Sequence, residues 1–127
     1  MDVIHEIPTG IGMPKALGPY SQVVRAGDFL FVAGQAGINP ETGEAAGPDF
    51  ESQARQAFLN LSTVLQACGS NMDKVVQTTV FLTDASKFPA LNELFSEFFS
   101  KTPPTRSTPI VQLPKGLLFG MECIALV

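Results

Sequence analysis

Histidine is nearly missing from this sequence: His5 is the single one among 127 residues, and it lies close to an end, where a mobile position is expected. A Ser-His-Asp or Cys-His mechanism would have to recruit that one residue, which makes such chemistry a poor fit. Cysteine is almost as scarce. Cys68 and Cys123 stand far apart, with neither Cys-x-x-Cys nor Cys/His ligand spacing, so no metal site and no disulfide framework is expected. Buried, reduced thiols are the simplest reading of both. Charge is sparse too, at 16% of residues, with 8 Lys+Arg against 12 Asp+Glu and a net charge of −4. Nucleic-acid affinity rests on clustered basic residues, so no nucleic-acid partner is expected. Long apolar runs are also missing. No stretch approaches the ~18 apolar residues of a membrane span, and MDVIHEIPTGIGMPKALGPYSQ lacks a basic region followed by an unbroken apolar one. A soluble, cytoplasmic protein with no membrane association is the expectation.

The chain does have enough apolar residues, 45%, to build a core, and its length suits one domain over residues 1–127. A mean hydropathy of +0.20 leaves few charges to solubilise it. Part of the apolar excess is expected in an oligomer interface.

Phe29 to Gly34 (FLFVAG) reads as a buried strand after a Gly27-Asp28 turn, and Asn39-Pro40-Glu41-Thr42-Gly43-Glu44 reads as a turn between extended segments. Between Glu51 and Cys68 the apolar residues Ala54, Ala57, Phe58, Leu61, Val64, Leu65 and Cys68 recur at helical spacing, with Gly69 as the stop. Val75 to Leu82 (VVQTTVFL) is rich in β-branched residues and predicts a strand. Phe88, Leu91, Phe95, Phe98 and Phe99 mark a second helix, with Ser86 as its candidate cap and KTPPT after it. Arg106 to Leu113 and Leu117 to Val127 read as two final extended runs, joined by Pro114-Lys115-Gly116. Pro109 lacks a ladder donor, which suggests an edge position or a bulge. This order predicts an α+β domain with both helices on one face of a mixed sheet.

Five segments then resemble the signature blocks of the YjgF/Rid family: Gly18-Pro19-Tyr20-Ser21-Gln22, Phe31-Val32-Ala33-Gly34-Gln35, Asn39 to Glu44, Gln77 to Asp84, and Pro104-Thr105-Arg106-Ser107-Thr108. They fall in family order over nearly the whole chain. The resemblance implies a chorismate-mutase-like α+β domain that assembles as a homotrimer, with a pocket in each intersubunit cleft. It also implies hydrolytic deamination of reactive 2-enamine and 2-imine acids, of the 2-iminobutanoate and 2-iminopropanoate type, to 2-keto acids and ammonia. The ligands implied are therefore small 2-imino and 2-keto acids, with no cofactor. Such chemistry makes modest demands, because an imine is already electrophilic. It needs an anchor for the carboxylate, a placed water and a group that manages a proton.

Arg106 matches the family's substrate-binding arginine, and a planar guanidinium fork grips a carboxylate with two bonds. Tyr20 falls where a phenol would orient substrate or water. Ala33 and Gly34 fall where the family brings backbone close to the ligand, and a glycine permits such approach. Asn92 matches a pocket position on the second helix, and the main chain of Thr108 is the one implied to meet the imine nitrogen. Each has a plainer alternative, from an exposed arginine or asparagine to a packed tyrosine.

One position departs from the pattern. Well-known imine deaminases carry two glutamates separated by one residue on the last strand, the first assigned to water activation. Here Gly120 takes the first place and Glu122 the second. Strand alternation puts both on one face about 6.6 Å apart, so Glu122 could serve through a longer water bridge or be purely structural. A second function class stays open: a non-catalytic trimeric module that binds a small carboxylate or acts in a chaperone-like way. Gly120 favours it, and Arg106 favours the deaminase.

Overall fold

The computed structural model describes residues 2–10 and 12–127. In chain order the elements are β1 (Val3–Glu6), β2 (Val23–Ala26), β3 (Phe29–Ala36), α1 (Phe50–Ala67), β4 (Val75–Leu82), α2 (Phe88–Phe98), β5 (Thr105–Ser107) and β6 (Phe119–Leu126). The six strands form one sheet in the order β1-β2-β3-β6-β4-β5. Only β4 and β5 run parallel, and parallel neighbours need a crossover, which α2 supplies. The expected α+β layering, with a mixed sheet and both helices on one face, is what the chain forms.

Helix α1 starts where Asp49 accepts a hydrogen bond from the Ser52 amide at 3.0 Å. That bond and the one from the Ser52 hydroxyl hold the Asp49 carboxyl below its usual range. It ends at Gly69, whose φ of +78° lets the Ser70 amide turn back to the Leu65 carbonyl at 2.9 Å. The stripe Ala54, Ala57, Phe58, Leu61, Val64 and Leu65 is fully buried between the ends. Gly37 lets this helix sit on the sheet, since a Cβ there would lie 2.1 Å from the Gln53 carbonyl oxygen. Phe58 joins the layers: its ring stacks on Phe98 at 4.7 Å and lies 5.8 Å from Phe119 of β6.

Several local expectations change. Ser86 does not cap α2. Asp84 caps a short 3-10 turn, Ala85–Lys87, that precedes the helix, accepting from the Ser86 amide at 2.9 Å, and α2 itself has no side-chain cap. Pro89 near the start of α2 brings no N–H that would need a cap. The run from Arg106 to Leu113 is a strand only over β5. Beyond it the Pro109 carbonyl accepts from the Leu82 amide at 3.2 Å and the Val111 amide donates to the Leu82 carbonyl at 2.8 Å, so the chain still follows β4 at the sheet edge. His5 belongs to β1, and its Nδ1 lies 2.8 Å from the Ser21 hydroxyl. Cys123 is buried and Cys68 half-buried, and both are unbridged. Burial, with a smaller contribution from Glu122, pushes the Cys123 thiol up to about 12.

Candidate functional site

The pairing of β3 with β6 is interrupted. Val32 lies opposite Cys123 and Gln35 opposite Met121, so Ala33 and Gly34 together oppose the single residue Glu122. Two residues against one is a β-bulge, a device that bends a strand and re-aims its backbone. The bulge is pinned on both sides: the Ala33 amide donates to the Gln22 carbonyl at 2.9 Å, and Gln35 Nε2 donates to the Ala33 carbonyl at 3.1 Å. Gly34 is exposed at its apex, with no atom within 4 Å of where a Cβ would be. It lines a cavity of about 230 Å3 that Tyr20 also lines. The Tyr20 hydroxyl accepts from the Leu17 amide at 3.0 Å, which fixes the phenol and leaves its proton to donate. Tyr20 and Gly34 thus share the cavity, and Glu122 lies across the strand pairing from the Ala33–Gly34 bulge.

Arg106 lies elsewhere. In β5 it pairs with Thr78, which is fully buried beneath the helices, and its guanidinium lies against α2. Nη2 donates to Asn92 Oδ1 at 2.9 Å, and Cζ sits 5.2 Å from the Phe88 ring centroid and 4.9 Å from that of Phe95. Phe88, Asn92 and Phe95 follow the spacing that puts residues on one helix face. Partial burial lowers the Arg106 pKa, yet a guanidinium stays charged, so the stacking rings and one hydrogen bond orient a cation whose other N–H groups remain available. Asn92 acts on Arg106 rather than standing free. Phe88 and Phe95 read in the sequence as core stripe, and only their spacing around Asn92 signals this second role. Thr108 is half-buried one residue beyond β5.

Within one chain the two groups do not meet. From β6 to β5 there are two strand spacings, about 10 Å, and Glu122 projects from the face opposite the helices. Gly120 lies on that same open face, paired with Ala36 and Phe81. A Cβ at Gly120, which is buried, would meet the Gln35 carbonyl oxygen at 3.8 Å and Phe81 at 3.9 Å, both ordinary contacts. Among the described residues no group of three or more His, Cys, Asp and Glu could hold a metal ion, and no helix is long and apolar enough to cross a membrane.

Residues 11–127 match the family model described as Endoribonuclease L-PSP. A RutC family protein of Pyrococcus horikoshii is 42% identical over 113 residues, which cover 88% of this chain and 90% of that one. A mouse protein named 2-iminobutanoate/2-iminopropanoate deaminase is 33% identical over 97% of this chain and 92% of its own. Among solved structures, E. coli TdcF with bound serine superposes with a TM-score of 0.88 at 36% identity, covering 96% of this chain and 98% of that one.

Proposed function

Because this chain belongs to the Endoribonuclease L-PSP family, the YjgF/Rid family, we propose that it is a hydrolytic deaminase that converts 2-imino acids, and the enamines that tautomerise to them, into 2-keto acids and ammonia. The observation that carries this reading is the guanidinium of Arg106, held by Asn92 and two aromatic rings with N–H groups left for a carboxylate. Where a neighbouring copy supplies Gly34 and Tyr20, that anchor sets the imine carbon against them. Glu122 accepts a proton from water as its oxygen adds to the carbon. That proton passes to nitrogen to give the carbinolamine, whose hydroxyl proton then moves to the amine as the C=O forms, the C–N bond breaks and ammonia leaves. Thr108 offers main chain beside the nitrogen.

The separation of Arg106 from Tyr20 and Gly34 supports a site completed by a neighbouring copy, as in a homotrimer with intersubunit clefts. The open sheet face supports the same assembly, since Phe29, Phe31, Val76 and Leu126 are each 38–45% exposed there. Sedimentation at micromolar concentration should give three times the 13.5 kDa chain mass, and a mass near 13.5 kDa would rule the trimer out. A cytoplasmic location suits the unbridged cysteines.

Arg106→Lys tests the anchor. An ammonium keeps the charge but loses the planar two-bond grip, so kcat/KM for imine hydrolysis should fall about 10- to 100-fold. An unchanged value would remove Arg106 from the role. Gly120 favours the second reading, a non-catalytic module that binds small carboxylates. In that case wild type binds keto acids yet leaves imine decay at the buffer rate. The acidic charge and lone histidine give no support to the ribonuclease activity in the family's description.

A further inference from the structure

Two amide side chains in the cavity beside Gly34 have one end committed and one end free. Gln35 is 5% exposed and Gln22 8%, and both line the cavity together with Tyr20 and Gly34. Gln35 Nε2 donates to the Ala33 carbonyl at 3.1 Å, and Gln22 Nε2 donates to the Pro14 carbonyl at 3.2 Å. A carbonyl only accepts, so the nitrogen of each amide is the atom in contact and Oε1 is the atom left over. Among the described residues neither oxygen has a partner in the protein, and no side-chain polar atom sealed from solvent lacks one, so both oxygens open onto the cavity. A free acceptor on a side chain this deeply buried is costly unless a ligand or water donates to it. Tyr20 and Lys15, both exposed, bring donors to the same cavity, and donors suit an oxygen. The two amide oxygens suit N–H groups.

We propose that Gln35 is a further catalytic residue, whose amide oxygen accepts a hydrogen bond from the substrate's nitrogen and holds it through the loss of ammonia. The inference rests on the deaminase reading. The imine and the carbinolamine both carry N–H, and the keto acid does not. When the carbinolamine hydroxyl proton moves to the amine, nitrogen gains a third N–H and a positive charge, and its bond to Oε1 becomes charge-assisted. An acceptor fixed in advance by its own Nε2 contact therefore stabilises the ammonium form more than the neutral amine. The C–N electron pair then leaves with nitrogen, the C=O closes, and neutral ammonia departs. The keto acid that remains offers Gln35 only another acceptor, which favours its release.

Calorimetry on the intact protein with oxamate and pyruvate tests the role. Both are small planar carboxylates, and oxamate has an NH2 group where pyruvate has a methyl. Oxamate should bind about 10-fold or more tightly than pyruvate, because a site built for an N–H leaves its acceptor unpaired against a methyl. Gln35→Met keeps the length of the side chain and removes the amide. It should abolish that preference and lower kcat for imine hydrolysis about 10- to 100-fold. Loss of the contact to Ala33 also loosens the bulge, which weakens both ligands alike, so the ratio of the two affinities reports the acceptor. The urea midpoint checks that the variant folds. Equal binding of oxamate and pyruvate by the wild type, a comparison that needs no variant, would overturn the proposal. A ratio unchanged in Gln35→Met, or imine hydrolysis by that variant at the wild-type rate, would overturn it too and leave the deaminase reading intact. A preference for oxamate that depends on Gln35, with no imine consumed above the buffer rate, keeps Gln35 as an N–H acceptor and sinks the deaminase reading instead.

Discussion

Glu122→Gln is expected to lower imine hydrolysis by about 10²- to 10⁴-fold, the contribution of a positioned general base. Glu122 is the carboxylate that β6 sets against the Ala33–Gly34 bulge, exposed on the open face of the sheet. Glutamine keeps the shape and removes the basic oxygen, so the loss should fall on kcat and spare the affinity for keto acids. Gly120→Glu is the companion test. A Cβ at Gly120 makes only ordinary contacts, at 3.8 and 3.9 Å, and the variant's urea midpoint checks that it folds. It should gain little, because two carboxylates about 6.6 Å apart on one strand face repel. A large gain in Gly120→Glu, together with no loss in Glu122→Gln, would mean that the natural protein lacks a base.

Phe58→Ala should cost about 3–5 kcal/mol of stability, read from the urea midpoint at fixed protein concentration. Its ring is fully buried and within 6.4 Å of four other rings, those of Phe95, Phe98, Phe99 and Phe119, so truncation opens a void where α1, α2 and β6 meet. Leu59→Ala, one position on and 46% exposed, should stay within about 0.5 kcal/mol and serves as the control. Equal losses at the two positions would contradict this account of the core.

The helices and central strands were legible because their signals are periodic. The α1 stripe and the β-branched run of β4 announce themselves, and β4 has the bounds expected of it. β1 and β2 were not legible. Each has only four residues, and β1 has no buried face, so its pairing comes from the sheet rather than from its own pattern. Ser86 misled because serine is a good cap in general, whereas here it lies inside a 3-10 turn capped by Asp84 and α2 starts without a side-chain cap. At the site, Arg106 and Gly34 stood out through side-chain chemistry and motif. The bulge that sets Ala33 and Gly34 against Glu122 did not, because register between distant strands is absent from local sequence. The aromatic clamp on Arg106 was equally hidden, since Phe88 and Phe95 look identical to core residues until β5 lies beside α2.

The central claim, catalysed hydrolysis of a 2-imino acid anchored on Arg106, is tested most directly by following freshly generated imines with wild-type protein, with Arg106→Ala and with buffer alone. Coupled detection should find 2-keto acid and ammonia released in equal amounts, fastest with wild type and close to the buffer rate with Arg106→Ala. Decay at the buffer rate in all three samples, for short and long imines alike, would contradict the account.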